Sequence, residues 1–369
     1  MTLRQIGSVV GAMCLVAALV LPLAPGASLL DRPGPLAAIA VAAGAIVAAR
    51  YDDLVAILLQ MLAAVLLAAV TLALLDAPAI AGQAGAAFWA IVGAAWMCAA
   101  AAVAGLSGLE PRAAAAQRLI GLAIPLLFGA FLFYLWEVAV RGFGVPSVLM
   151  PAPSAIFERF VTSLPSLGAD FVQTFVRGVL SGYLIGCSTG FLAAIVADRV
   201  PFLQRGLLPL GNFVSALPIV GIAPIMVMWF GFDWPSKAAV VVVMTFFPML
   251  VNTVSGLAAA GRVERDLMRS YGADYRQTLL KLRLPAAMPF VFNALKINST
   301  LALIGAIVAE FFGTPVVGMG FRISIEVARM SLDMVWAEIA LAALAGTAFY
   351  GVVALAERAA TFWHPSYRT

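Results

Sequence analysis

Residues 262–289 read RVERDLMRSYGADYRQTLLKLRLPAAMP, the longest strongly charged stretch in a chain that is 63% hydrophobic and 11% charged. An apolar run, 238–260, precedes it and another, 290–309, follows. A loop between two membrane spans needs no internal order, yet this one carries helix punctuation along its length. Residues 264–271 read as a short helix that stops at Gly272, the residue best suited to a helix C-terminus. Asp274 then caps a second helix, with Gln277 where a capping box closes. Pro285 ends that second helix or begins the next. Two short arginine-rich helices, joined at a glycine and held at a membrane surface, make a docking surface.

The composition sets the class. A mean hydropathy of +1.04 excludes an ordinary soluble protein, and the apolar runs reach the roughly 20 residues that cross a bilayer. The chain is therefore expected to be an all-α polytopic membrane protein with about ten transmembrane helices. The expected spans are 7–24, 35–49, 54–75, 79–106, 119–139, 172–197, 207–230, 238–260, 286–309 and 335–356, the second being short for a full crossing. Cys14, Cys98 and Cys187 fall inside apolar runs and read as small core residues, with no disulfide or metal spacing. The single histidine, His364, lies beyond the last span, which excludes histidine-cluster chemistry.

Basic residues set the orientation. With the N-terminus in the cytoplasm, Arg4, Arg50, Arg112, Arg118, Arg199, Arg205, the charged loop, Arg358 and Arg368 all lie inside. That is roughly fourteen of the 22 Lys and Arg residues, a positive-inside bias. Both termini are then cytoplasmic. The net charge of +4 speaks to this orientation and not to nucleic acid. The first 24 residues also resemble a signal peptide, although polytopic proteins usually keep their first span. Residues 1–110 carry no motif of known chemistry. Gln60, Asp76 and Gln83 are isolated polar residues at or near span ends, and this segment reads as an accessory bundle of four spans. The polar stretch 110–118 marks the boundary with a six-span unit, 111–369.

Gly272, nine residues, then Leu282-Arg283-Leu284-Pro285 resemble the EAA loop of bacterial ABC importer permeases, whose pattern is Glu-Ala-Ala, three residues, Gly, nine residues, Ile, one residue, Leu-Pro. The Glu-Ala-Ala positions hold Asp266, Leu267 and Met268, so the acid is kept in type and the alanines are lost. A loop that merely lies on lipid headgroups has no reason to keep this spacing. Trp136-Glu137, Val145-Pro146, Met150-Pro151-Ala152-Pro153-Ser154 and Leu217-Pro218 extend the resemblance to the nitrate/sulfonate/taurine branch. Trp229-Phe230-Gly231, Ser236-Lys237, Phe247-Pro248, Asn252-Thr253, Val308-Ala309-Glu310, Gly318-Met319-Gly320-Phe321 and Glu357-Arg358 continue it.

The resemblance implies the type I permease fold in the six-span unit, with residues 262–285 as the element that sits in a groove of an ATP-hydrolysing subunit. Asp266, Arg269, Gly272, Ala273, Arg276, Leu282, Leu284 and Pro285 are the expected coupling residues. It also implies two ATPase subunits that bind ATP and Mg, a periplasmic substrate-binding protein and a second permease copy, in the bacterial inner membrane. No cofactor is expected in this chain, which lacks a Walker Gly-x-x-x-x-Gly-Lys-Ser/Thr and so does not hydrolyse ATP alone.

Within the spans, Gly178, Gly182, Gly186 and Gly190 recur every fourth residue and mark a helix-packing seam. The Gly186-Cys187-Ser188-Thr189-Gly190 match to a nucleophile elbow is a decoy, because that motif needs a strand-to-helix turn and a histidine partner. Pro218, Pro224 and Pro248 are expected to kink their spans. Lys296, about eleven residues past Pro285 and so roughly 16 Å along the helix, is deep for a charge. With Asn252, Asn293 and Glu310 it is a candidate for the translocation pathway, and its charge favours an anion such as a sulfonate, taurine or nitrate. The competing reading has Lys296 snorkel, or bond the carbonyls left by a neighbouring kinked helix. Relatives in the family carry thiamine pyrimidine precursors or riboflavin, which is the alternative substrate class. A secondary transporter is the alternative class of protein, but it calls for inverted repeats and embedded acidic coupling residues. Neither is seen apart from Glu310 near a span end.

Overall fold

The computed structural model describes residues 3–48, 54–109, 113–215, 217–313 and 317–363. Among these the secondary structure is helical, apart from one isolated bridge between Ala24 and Ala27. In hydrocarbon every backbone group must be satisfied within the chain, and a helix does this locally. His364 lies outside the described residues. So do Arg50, Arg112 and Arg368 of the orientation argument.

The chain forms two compact units, residues 1–157 and 158–369. The first contains α1 (Leu3–Val20), α2 (Pro33–Ala48), α3 (Leu54–Leu75), α4 (Ala86–Ser107) and α5 (Ala114–Phe143). Helix α1 packs on α4, α4 on α3 and α3 on α2, and both α3 and α4 also pack on α5. The core is built from small residues, among them Ala18, Ala42, Ala63, Ala87, Ala94 and Ala95, interleaved with Leu67, Phe88 and Ile91. Gln60 is not isolated: it is fully buried and donates to Ser8 Oγ at 2.8 Å. Asp76 pairs with Arg141 at 2.8 Å. Gly82 and Gly144 both have positive φ, +76° and +65°, and a Cβ on Gly144 would lie 2.8 Å from the Gly82 Cα. Their bare backbones let the α3–α4 turn meet the end of α5.

In the second unit α7 (Leu164–Phe171) runs through a π-helical stretch (Val172–Leu180) into α8 (Ser181–Arg199). There follow α9 (Pro201–Ser215), α10 (Ile219–Phe230) and α11 (Trp234–Ala258). The charged segment gives α12 (Arg262–Ser270) and α13 (Tyr275–Thr278), and a second π-helical stretch (Leu279–Arg283) leads into α14 (Leu284–Glu310). Helices α15 (Met319–Ala328) and α16 (Leu332–Ala360) complete the described chain, with α6 (Pro153–Thr162) at the junction of the two units. Helix α11 is central and packs on α8 and α14. Glycines make this possible: a Cβ on Gly182 would meet Val241, one on Gly186 would meet Thr245 and Val242, and one on Gly190 would meet Phe246 and Met249. Gly178 falls in the π-helical stretch and faces Lys237 and Ala306. The elbow-like Gly186-Cys187-Ser188-Thr189-Gly190 lies in mid-helix.

Seven described helical segments are long and apolar enough to cross a membrane: α3, α4, α5, the continuous Leu164–Arg199, α11, the continuous Tyr275–Glu310 and α16. Each matches one expected span. The expected spans 7–24 and 35–49 correspond to the shorter α1 and α2. The expected span 207–230 is not one helix. It breaks between α9 and α10, with Pro218 as the N-terminal cap residue of α10 at φ −68° and ψ 123°. Proline denies the preceding residue its helical conformation, so Pro218 divides the segment where a kink was expected. Pro224 and Pro248 do lie inside their helices.

Candidate functional site

The charged loop folds as its residues dictate. Gly272 has φ +68°, and a Cβ there would meet nothing within 4 Å. What selects glycine is thus backbone conformation and not space. Asp274 Oδ1 accepts from the Gln277 N–H at 2.7 Å, and Gln277 Oε1 accepts from the Asp274 N–H at 3.1 Å, completing the capping box. Pro285 sits in the first turn of α14, which continues the helical run from Tyr275 without a break. Helix α12 has no buried residue. Val263, Leu267 and Tyr271, four residues apart, form an exposed apolar stripe that is 79%, 55% and 81% accessible. Asp266 and Arg269 flank it and pair loosely at 3.7 Å. Ala273 and Arg276 lie at the turn and in α13, while Leu282 and Leu284 lie where the loop joins α14.

The second half of the loop is fastened down. Arg283 donates through Nη1 and Nη2 to both carboxylate oxygens of Asp198, at 2.7 and 2.6 Å, and through Nε to the Leu257 carbonyl at 3.0 Å. The Tyr275 hydroxyl donates to Asp198 Oδ2 at 3.0 Å, and Arg199 lies over the Tyr275 ring. Beneath these polar contacts Leu257, Leu279 and Ala287 form a small buried cluster, with Ile195 and Tyr275 packed on it.

Further along α14, Lys296 Nζ meets Glu357 Oε2 of α16 at 2.6 Å. The deep charge expected from the sequence therefore has an anionic partner in this chain. Asn298, two residues on, is fully buried and donates to the Thr245 carbonyl at 2.8 Å and towards Cys187 Sγ at 3.2 Å, tying α14 to α11 and α8. Asn252 donates to the Pro248 carbonyl of its own helix at 2.8 Å, and Asn293 is exposed.

At the opposite end of α14, Glu310 is buried in a polar knot. It accepts from Thr174 Oγ1 at 2.8 and 2.9 Å and from the Gly320 N–H at 2.8 Å. Thr174 in turn accepts from the Met319 N–H at 2.8 Å. Asp170 takes the Gly318 N–H at 2.6 Å and Arg322 Nε at 2.9 Å. A Cβ on Gly318 would lie 2.7 Å from Glu310 Oε1, and one on Gly320 would strike the Ile307 carbonyl, so the Gly-Met-Gly run is what the packed carboxylate requires. Lys237, 2% exposed, donates to the Phe232 carbonyl at 2.6 Å and also to the Gly313 carbonyl. Just outside the membrane-spanning part of α11, the Trp234 N–H and the Gln173 amide hold the Asp233 carboxyl below its usual range. Glu338 of α16 is fully buried beside Asp170 and Arg322, with no donor to either carboxylate oxygen among the described residues.

Lys296 and Glu310 are fourteen residues apart on one helix, about 21 Å at the helical rise. Lys296 and Glu310 thus do not share one site within a single chain. Sequence reasoning missed Asp170, Thr174, Asp198, Arg322 and Glu357 as partners. The available signal was that a charge inside an apolar run calls for an opposite charge in a neighbouring one. In the first unit, Glu137 accepts from the Ser154 N–H at 2.9 Å and its hydroxyl at 2.7 Å, capping α6. Arg141 bridges Glu137 and Asp76. The Trp136-Glu137 and Pro153-Ser154 motifs, far apart in sequence, are therefore one structural device.

The profile of the family described as "Binding-protein-dependent transport system inner membrane component" matches residues 186–362, which takes in the loop, Asp198, Lys296 and Glu310 but not Asp170 and Thr174 of the knot. The chain is 33% identical to the formylaminopyrimidine transport permease protein ThiX of Halalkalibacterium halodurans, over 51% of this chain and 75% of that one. It is 28% identical to the riboflavin transport system permease protein RibX of Chloroflexus aurantiacus, over 70% of this chain and 97% of the relative. It is also 28% identical to the putative aliphatic sulfonates transport permease protein SsuC of Bacillus subtilis, over 66% and 88%. Matches of this extent fix the role as a multi-pass transport component and not itself a catalytic enzyme, in a family whose members work with an ATPase and a substrate-binding protein. The chain belongs to the binding-protein-dependent inner-membrane family, the permease subunits of ABC importers.

Proposed function

We propose that this chain is the translocating subunit of an ATP-driven importer of the bacterial inner membrane. Two copies work with two ATPase subunits and a periplasmic binding protein, and both termini lie in the cytoplasm. Residues 262–285 form the coupling loop. The observation that carries this reading is a helix pair with an exposed apolar stripe at Val263, Leu267 and Tyr271, closed by Gly272 and a complete capping box. ATP-driven closure of the ATPase pair displaces α12, and the spans answer by alternating access.

For the solute, the pairing of Lys296 with Glu357 changes the weighting. A neutralised lysine offers an anion little standing attraction, so the argument from charge for a sulfonate, taurine or nitrate is weakened. An uncharged heteroaromatic solute of the pyrimidine-precursor class agrees with that pairing and with the similarity to a formylaminopyrimidine permease. The sulfonate reading keeps the support of its own relative. Uptake of a labelled pyrimidine precursor and of labelled taurine, in a deletion strain and its complemented partner, separates them. Loss of pyrimidine uptake alone is the expected result. Loss of taurine uptake alone would overturn the assignment and return Lys296 to the pathway.

A further inference from the structure

We propose that Asp198 and Arg283 form a latch that makes α8 follow the coupling loop, so that the loop drives α8 together with α11 and α14, the two helices that the chain itself joins to it. This rests on residues 262–285 being the coupling loop. Helices α12 and α13 contain no buried residue, so α12 is presented to a partner and only the root of the loop is held. By covalent continuity the loop leads back into α11 across residues 259–261 and on into α14, because Tyr275–Glu310 is one unbroken helical run.

The latch adds α8 and gives α11 a second tie. Arg283 spends Nη1 and Nη2 on Asp198 at the end of α8, and Nε on the Leu257 carbonyl at the end of α11. Tyr275, eight residues earlier, reaches the same carboxylate. Asp198 thus accepts from both ends of the run 275–283, which fixes its position and its rotation. The pair is 15% and 7% exposed, so water competes poorly for it. A two-pronged guanidinium–carboxylate bond also fixes orientation in a way that one ammonium contact does not.

Helices α8 and α11 are suited to move together. Gly182, Gly186 and Gly190 bring the two backbones into contact along most of α8, and interiors packed this closely shift as blocks. Asn298 joins α14 to the same pair. Asp198 and Arg283 are thus positioning residues. They touch neither solute nor nucleotide, and they act through the helices they join.

The test uses the complete transporter in lipid nanodiscs and proteoliposomes: this chain, its ATPase subunit and its binding protein. The variants are Asp198→Asn, Arg283→Lys, the exchange Asp198→Arg with Arg283→Asp, Tyr275→Phe and, for the loop surface, Leu267→Asp. Three quantities are read: ATPase subunit retained, stimulation of ATP hydrolysis by loaded binding protein, and uptake. For Asp198→Asn the latch predicts retention within about twofold of wild type but a fall of about tenfold in stimulation and uptake, inside the usual range for coupling between distant sites. Arg283→Lys, which keeps the charge and loses the fork, should fall between, and the exchange should recover part of the loss. If Asp198→Asn does not fold, Arg283→Lys and Tyr275→Phe carry the same comparison. Normal uptake in Asp198→Asn with loss in Leu267→Asp would overturn the latch and leave the coupling loop standing. Loss of the ATPase subunit in proportion to uptake would also overturn it, by making the pair a support for docking. Normal retention and uptake in Leu267→Asp would instead remove the coupling reading, and the latch with it.

Discussion

Helix α12, just ahead of Tyr275, and the Glu310 end of α14 handle charge in opposite ways. The first carries its charges and an apolar stripe in the open, with pairs as loose as Asp266–Arg269 at 3.7 Å. At the Glu310 end, carboxylates are buried and held by Thr174, Arg322 and the backbone N–H groups of a Gly-Met-Gly run. Exposed charge contributes little to stability and is free to meet a partner. Buried charge is tolerable only when satisfied, and its loss is severe. One end is thus built to be touched and the other to stay closed.

The comparison breaks most readily at the closed end. Glu310→Ala removes the acceptor for Thr174 and Gly320 and should cost about 3–5 kcal/mol, read as a lowered thermal midpoint in detergent and poor recovery of folded protein. A midpoint near that of the parent would mean the knot is not closed. Next in size is the seam that joins α8 to α11. Gly186→Leu drives a side chain into Thr245 and the Val242 backbone and should cost about 1–3 kcal/mol. Gly121→Ala is the matching control, since a Cβ there meets nothing within 4 Å and the midpoint should hold.

At the open end the effects on stability shrink while those on function persist. Gly272→Val forces a β-branched residue to φ +68°, a local strain of about 1–2 kcal/mol. Uptake per folded molecule should drop sharply, whereas Gly272→Asn, which tolerates that conformation, should retain most of it. Asp266→Ala should shift the thermal midpoint by no more than about 0.5 kcal/mol equivalent. A large shift would show that α12 is part of the packed core.

What the sequence disclosed follows the range of the interactions concerned. The α12–α13 loop was legible because Gly272, Asp274, Gln277 and Pro285 act on backbone groups within a few residues of themselves. The spans were legible where one uninterrupted apolar run makes one helix. They were not legible at 207–230, where Pro218 breaks the run without changing its hydropathy. The Glu310 knot was half visible, as Glu310 and Gly318-Met319-Gly320. Its other half, Asp170 and Thr174, lies more than 130 residues away in sequence and has no local signature. The same holds for Asp198 with Arg283 and for Lys296 with Glu357. Lys296 signals in sequence that it needs a partner, but the choice of partner depends on which helices pack. Gln60 likewise passed for a residue near a span end because its mate, Ser8, sits in another helix.

The exposed stripe of α12 is the expected seat of the ATPase partner. The most direct measurement is the amount of co-expressed ATPase subunit that stays with this chain through purification, for the parent protein and for Leu267→Asp, alongside the thermal midpoint of each. Leu267 is 55% exposed, so its substitution should leave folding intact. The account predicts an unchanged midpoint with most of the ATPase subunit lost. Full retention of the subunit at an unchanged midpoint would contradict it.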